Sequence, residues 1–431
     1  MTNPYIIKEV RAMEILDSRG NPTVQAEILT QNAYGRAMVP SGASTGKFEA
    51  VELRDNDPKR FHGRGVKKAV ENILSILAPA IIGMDARDQQ AIDAKLRKLD
   101  GTSNKSHLGA NAILGVSLAV AKAAADTGIK HLFEYLVPRK QYVLPVPMMN
   151  IINGGVHAGN DLAIQEFMVM PVGFTEFHKA LRSGIEVYHT LGTVLKQKYG
   201  PSGQNLGDEG GFAPPIRQTR DALDAIIAAI EQEGYKPGKE IGLAIDAAAN
   251  EFHSNDGYLI DDQQLSAGDL FDYYRDLCKT YPLLSIEDPF EESDFDSYAQ
   301  ITKSIGKSVQ VVGDDIFVSN SDRLQKGIDI GAANSLLLKV NQVGTLTEAM
   351  EAAHLAGENN YTVIVSHRSG ETENTFIADL AVALSCGQIK TGAPARGERT
   401  AKYNRLIKIN NDLADRGRYA GSKFRTYKVR N

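Results

Sequence analysis

In the second half of the chain four short apolar runs each end in a charged residue: IGLAI in Asp246, LLSI in Glu287, VQVVG in Asp314 and SLLL in Lys339. Between them lie stretches with apolar residues at helical spacing, among them DLFDYYRDLCKTY and TLTEAMEAAHLAGENN. The series continues through strand ends at His367 and Lys390, and each interval is long enough for one crossover helix. This rhythm predicts a β/α barrel. An open doubly wound sheet has the same local rhythm, but so many charged strand ends favour the barrel, whose chemistry sits at the carboxyl ends of its strands.

The first third reads differently. Residues 6–13, 23–29 and 35–39 are short and β-like, broken by RGNP and by QNAYG, which predicts an antiparallel meander. Helical spacing then takes over in VKKAVENILSILAPAI, DQQAIDAKLRKL and GANAILGVSLAVAKAAADTG. Strands followed by helices in a block predict an α+β unit over residues 1–140, leaving 141–431 for the barrel. VLPVPMMN, with two prolines in close order, reads as an inter-domain connection rather than the centre of a sheet. The Ala-rich stretch 110–125 is interrupted by Lys122 and falls short of the roughly 20 residues a bilayer needs, so it is read as a buried helix.

The strand ends bring three carboxylates and an amine to one rim. A lone acidic residue at a strand end is more often a helix cap, but three at equivalent places point to a hard cation such as Mg2+. Burying Asp246, Glu287 and Asp314 together without one would be costly or would force protonation. Lys339, in LLLKVNQVGT, is either a structural ion-pair lysine or a base. At pH 7 only about 0.04% of a lysine with a pKa of about 10.4 is neutral, so a base role requires a lowered pKa. Metal ions and a second cation such as Lys390, in GQIKTG, would lower it.

Other motifs supply anion contacts and acids. VSHRSGET sets His367, Arg368 and Ser369 on a glycine-containing turn, a combination suited to phosphate or carboxylate. AIQEFM offers Gln165 and Glu166, and LGDEGGFAP offers Asp208 and Glu209 before a Gly-Gly pair that lets the backbone approach a ligand. His157, in INGGVHAGN, lies in a glycine-rich loop where a histidine is more often polar surface than catalyst. VPSGASTGKFEA fails as a Walker A loop, because three residues separate Gly42 from Gly46 and Phe48 stands where Ser or Thr is needed. It is read as a mobile loop, 41–46, able to close over a site and exclude water.

Composition narrows the class further. The 431 residues are too many for one small domain and suit a barrel of about 250 residues with an accessory unit. A hydrophobic fraction of 42% with 23% charged residues suits a soluble chain that buries a large core. The net charge of −5, without a long basic block, argues against a nucleic-acid groove; the basic KFRTYKVR stretch reads as a solvated tail. Cys278 and Cys386 have no CxxC partners, which excludes a disulfide scaffold and a cysteine zinc site and suits a reducing compartment. MTNPYIIKEVRAMEIL lacks the basic and apolar regions of a secretory signal.

The motifs ILDSRGNPT, VPSGASTG, LGANAILGVSLA, MNIINGGVHA, GDEGGFAP, SIEDP, VVGDD, KVNQVGT, SHRSGET, QIKTG and AKYNRL, in this order, resemble those of the enolase family. The resemblance implies an α+β cap and an eight-stranded β/α barrel whose second strand is antiparallel. It implies reversible, Mg2+-dependent dehydration of 2-phosphoglycerate to phosphoenolpyruvate in glycolysis and gluconeogenesis, with a lysine base and two Mg2+ ions. Asp246, Glu287 and Asp314 would bind the first ion, and Ser41 the second once substrate is present. Lys339 would be the base, and Glu209, assisted by Glu166, the acid. Gln165, His367, Arg368, Ser369 and Lys390 would contact substrate, with His157 lining the pocket beside the catalytic groups.

The acid role requires Glu209 to hold a proton while the metal carboxylates stay ionised, so their environments must push the pKa values apart. The resemblance also implies a homodimer or an octamer, no nucleic-acid partner and no membrane span. It suggests a cytoplasmic enzyme and allows a cell-surface or secreted fraction. Gly159 and Asn374 depart from the commonest pattern at positions without a chemical role. Two alternatives remain: another acid dehydratase of the superfamily, which would not need Arg368, Ser369 and Lys390, or a non-catalytic binding protein on the same fold. The latter would be expected to have lost Lys339, Glu209 or a carboxylate of the triad, and none is missing.

Overall fold

Three antiparallel strands, β1 (Glu9–Leu16), β2 (Pro22–Leu29) and β3 (Tyr34–Met38), form a sheet in chain order in the computed structural model, which describes residues 3–42 and 46–430. The turn between β1 and β2 is closed by Asp17, whose Oδ1 accepts from the backbone N–H of Arg19 and of Asn21, both at 2.9 Å. An Asx turn of this kind supplies the bonds the strands no longer can. The meander thus matches the sequence pattern, with β1 running three residues further than its apolar core suggests. Helix α1 (Ala110–Thr127) packs on β2 and β3 and is buried almost all round, as its Ala-rich composition demands. A Cβ at Gly35 would stand 2.1 Å from the Ala119 carbonyl oxygen, so this glycine sets how closely sheet and helix approach. Among the described residues no helix is long and apolar enough to cross a membrane.

Eight further strands close a barrel: β4 (Val146–Asn153), β5 (Glu166–Met170), β6 (Gly242–Asp246), β7 (Leu283–Glu287), β8 (Gln310–Gly313), β9 (Ser335–Leu338), β10 (Thr362–Ser366) and β11 (Gln388–Lys390). Neighbours follow chain order, and β11 pairs with β4 to close the ring. Every pairing is parallel except the two made by β5, with β4 and β6. This reversal has a direct consequence for the site. The start of β5, at Glu166, lies on the rim formed by the ends of the other strands, with Asn153 and Asp246 as its register partners. Asp246 in turn stands opposite Glu287.

Pro147 belongs to β4 and not to a connection, which corrects the reading of that proline as a break, whereas Pro145 stands between the strand Tyr142–Leu144 and β4. The N–H of Val146 donates to the Gly387 carbonyl on the β11 side at 2.9 Å, so position 147 turns its missing donor the other way. There the pairing with β5 begins only at Met149, and no ladder bond is lost. A short antiparallel sheet, His253–Ser254, Gly257–Ile260 and Gln263–Leu265, follows β6; its only apolar run, YLI in the middle strand, is too short to have announced it.

The barrel interior holds a bonded polar layer. The amides of Gln310 and Gln388 exchange hydrogen bonds, each 3.0 Å, while Gln310 also donates to Ser285 Oγ at 3.2 Å and accepts from Thr362 Oγ1 at 2.9 Å. All four residues are buried. A buried polar group without a partner costs roughly 1–3 kcal/mol, so the layer is stable only as a set.

Candidate active site

The charged strand ends meet on the carboxyl rim. Asp246, Glu287 and Lys390 end β6, β7 and β11, while Asp314, Lys339 and His367 directly follow β8, β9 and β10. Of the expected site residues, all but Glu287 and Ser41 line one cavity. Glu287 is fully buried and joins the group through Lys390.

Two lysines divide the carboxylates between them. Lys390 Nζ lies 2.9 Å from Asp246 Oδ2, 2.9 and 3.0 Å from the two Glu287 oxygens and 3.0 Å from Glu166 Oε1. Lys339 Nζ donates to Asp314 Oδ2, whose other oxygen accepts from Gln342 Nε2 at 2.8 Å. Asp288 holds the turn that presents Asp314: its oxygens accept from the backbone N–H of Asp314 at 2.9 Å and of Asp315 at 2.7 Å. The Tyr298 hydroxyl adds a third bond to Asp288 at 2.9 Å.

The acid side is built from β5 and the loop carrying Glu209. Glu209 Oε2 accepts from Asn150 Nδ2 at 3.0 Å and faces His367 Nε2 at 3.5 Å, while Oε1 faces His157 Nδ1 at 3.7 Å. Gly211 brings this loop against β4, since a Cβ there would meet Asn153 Oδ1 at 2.7 Å. Gln165 is buried and its Oε1 has no hydrogen-bond partner.

On the anion side Arg368 is held by Glu49 in a two-pronged pair, at 2.8 and 3.1 Å, and donates to Asn341 Oδ1 at 3.2 Å. The buried Ser369 hydroxyl has no partner. Ser41 is turned elsewhere: its hydroxyl donates to Asp17 Oδ2 at 2.7 Å, and its backbone bonds Gly370 in both directions, at 2.8 and 2.9 Å. Of the expected 41–46 loop, residues 43–45 lie outside the described residues.

The charge balance is strongly acidic. Glu287 is raised well above the usual carboxylate range by burial and by the neighbouring Asp246 charge, and Glu166 by burial and by Glu209. Asp288 is raised by burial and Asp315, and Asp315 is pushed up to about 7 by burial and Asp314. Asp246, despite burial, is held below its ordinary value by Lys390. Carboxyl groups buried this close together raise one another, and a cation among them would balance their charge.

Among the described residues, two groups of three have donor atoms all within 4.8 Å of one another: His157, Glu166 and Glu209, and Asp288, Asp314 and Asp315. Asp246, Glu287 and Asp314 do not form such a group here, because the first two close on Lys390 and the third on Lys339. The acidic clusters and their raised pKa values fit a metal cofactor bound through oxygen.

Two further electrostatic features of this arrangement bear on proton transfer. Burial works most strongly to lower the Lys339 pKa, but the surrounding carboxylates, Asp314 first and then Glu287, together hold the amine above its ordinary value. Glu209, despite burial, is drawn well below the usual carboxylate range by the facing imidazoles of His367 and His157, when they carry charge, and by Arg399, whereas burial and the Glu209 charge raise Glu166. The two glutamates are thus pushed in opposite directions. His367 itself is pushed down to about 4, chiefly by burial, and stays neutral near pH 7.

Sequence reasoning did not pick out Glu49, Asp288, Asp315 or Arg399. Asp288 and Asp315 directly follow Glu287 and Asp314 in SIEDP and VVGDD, and the doubled carboxylate in each motif is the signal that could have found them. Glu49 meets Arg368 across 319 positions, a pairing no local pattern carries.

A closed β/α barrel whose rim gathers a buried lysine, a glutamate pair and crowded carboxylates defines an enzyme for acid–base chemistry on a small anion. The chain matches the model of the enolase N-terminal domain over residues 7–136 and that of the enolase C-terminal TIM barrel domain over 141–428. It is 58% identical to the enolase of Pyrococcus furiosus over 427 residues, 99% of each chain. It is 58% identical to that of Methanocaldococcus jannaschii over 426 residues, again 99% of each. With the enolase of Methanopyrus kandleri it shares 59% over 411 residues, 95% of this chain and 96% of the relative. The chain belongs to the enolase family. It is a hydro-lyase, with the phosphopyruvate hydratase activity of glycolysis.

Proposed function

We propose that the interconversion of 2-phosphoglycerate and phosphoenolpyruvate is divided in this chain between Lys339 as base and the Glu166/Glu209 pair as acid. The observation that carries this reading is their position around the ring. β9, which Lys339 follows, lies four strands from β5, which Glu166 begins, in either direction, so base and acid face one cavity from opposite walls.

Lys339 takes the proton alpha to the carboxylate, and the pair of electrons left behind becomes the new C=C bond as the C–O bond to the 3-hydroxyl breaks. Glu209, drawing on the proton held by Glu166, delivers a proton to the departing oxygen, which leaves as water. Lys339 accepts a proton only when neutral, so its contact with Asp314 gives way first. Arg368 and Ser369 hold the phosphate, the guanidinium exchanging Glu49 for the substrate's oxygens. Gln165, His367 and Lys390 contact the rest of the substrate, and His157 closes the acid side.

Asp246, Glu287 and Asp314 are the residues that would hold one Mg2+, and Ser41 a second that comes with substrate. When bound, these ions supply the positive charge that stabilises a carboxylate carrying two negative charges. In the same reading residues 1–140 cap the barrel of 141–431, the loop 41–46 closes over substrate, and the chain works in the cytoplasm as a homodimer or octamer. A cell-surface or secreted fraction is part of the same proposal. Phosphoenolpyruvate formation, followed by its absorbance, proceeds with Mg2+ and stops with a chelator; turnover undiminished by the chelator would contradict the metal assignment.

A further inference from the structure

Arg399 occupies the third position of helix α2 (Gly397–Leu413), and its side chain is fully buried. A cation is unfavourable in the first turn of a helix, and a buried guanidinium is costly unless its donors are used. Among the described residues its only ion pair is with Glu398, whose Oε1 is 3.5 Å from Nε, and Nε makes no hydrogen bond. The donors go instead to the loops of the active site. Nη1 lies 2.6 Å from the Arg368 carbonyl and 2.5 Å from His367 Nδ1; Nη2 lies 2.5 Å from the Ser369 carbonyl and 3.3 Å from that of Asp208.

A second observation marks the same junction. Gly392 has φ +78°, and a Cβ there would meet Arg399 Cδ at 2.9 Å, the Glu209 carbonyl at 3.0 Å and His367 Cε1 at 3.1 Å. The absence of a side chain at 392 is therefore what lets the guanidinium, the Glu209 loop and the imidazole converge.

We infer that Arg399 is a positioning residue that fixes the neutral His367 imidazole in its Nε2–H form and holds the His367–Ser369 turn against the loop of Glu209. A guanidinium donates only and is not deprotonated in proteins, so the nitrogen it faces must offer a lone pair. His367 Nδ1 is that nitrogen, and the single ring proton of the neutral form is left on Nε2, which faces Glu209 Oε2 at 3.5 Å. His367 thus turns its N–H toward Glu209, an electrostatic contact rather than a hydrogen bond, and this favours an ionised Glu209. The low pKa of His367, with Glu209 and Glu371 opposing and Arg399 assisting burial, keeps the ring neutral over the working range.

The functional part of this inference rests on the reading of Glu209 as part of the acid, whereas the tautomer does not. The test is long-range 1H–15N NMR of the imidazoles in the full-length protein, with His367 assigned by the signal lost in His367→Gln. The wild type shows the Nε2–H form between pH 6 and 8. A wild-type Nδ1–H form overturns the inference, whether or not the enzyme turns over. Arg399→Met shifts the ring to the other tautomer, a mixture or the protonated form, and lowers the dehydration kcat by up to about 100-fold, the scale on which a misplaced active-site group slows a reaction. Arg399→Lys recovers part of both. An unchanged imidazole spectrum in Arg399→Met also overturns the inference, and if that variant does not fold, the wild-type tautomer decides.

Discussion

Replacing Lys390 by methionine keeps the length of the side chain and removes the ammonium that Asp246, Glu287 and Glu166 share at 2.9–3.0 Å. Removing one partner of a buried ion pair costs about 3–5 kcal/mol, because the other is left uncompensated. Here the carboxyl groups answer by taking up protons. Glu287 and Glu166 already lie above their ordinary range, and Asp246, which Lys390 now holds below its own despite burial, joins them. A carboxyl group whose folded pKa exceeds its unfolded value binds its proton more tightly when folded, so stability falls as pH rises from the unfolded pKa through the folded one. The loss caused by Lys390→Met is therefore greatest at high pH and shrinks on acidification. Urea midpoints of both proteins in chelator, at pH 5.5 and pH 8, read this directly. The expected loss approaches the full ~3–5 kcal/mol at pH 8 and is clearly smaller at pH 5.5. Mg2+ recovers part of it, because a ligand that binds only the folded state stabilises it. A loss of equal size at both pH values would refute the electrostatic account of this cluster.

Gln310→Ala breaks the polar layer of the barrel and strands the polar groups of Ser285, Thr362 and Gln388; the expected loss is about 2–4 kcal/mol by chemical denaturation, and a loss below ~0.5 kcal/mol would show that the layer does not act as a set. Arg368→Lys keeps the charge but not the two-pronged geometry now seen with Glu49, so KM for 2-phosphoglycerate rises about 10-fold or more in steady-state assays; an unchanged KM would remove Arg368 from the phosphate site.

The rim was legible in the sequence because several barrel strands end their apolar run at a charged residue that lines the cavity, as at Asp246, Asp314 and Lys339. Runs of this kind carry their own boundaries. β4 was not legible, because a proline argues against a strand unless it is known that its missing N–H faces a side where pairing has not begun. The antiparallel direction of β5 followed only from the resemblance, since alternation along a strand does not encode its direction. The protonation of the acid pair was hidden for a different reason. The directions in which Glu166 and Glu209 are pushed depend on Lys390, His157, His367 and Arg399, which no local pattern around either glutamate brings together. The same holds for Glu49 on Arg368, a contact visible only once the first fifty residues are folded over the rim.

The central claim is that proton removal and loss of the hydroxyl group belong to different residues on opposite walls of the barrel. Exchange of the alpha proton of 2-phosphoglycerate in deuterium oxide with Mg2+, followed by proton NMR alongside phosphoenolpyruvate formation, separates the two. With Glu209→Gln, exchange continues while product formation falls by about 100-fold or more, the scale of a lost general acid. With Lys339→Ala, both stop. Exchange that survives in Lys339→Ala would contradict the account, because the base would then be another group.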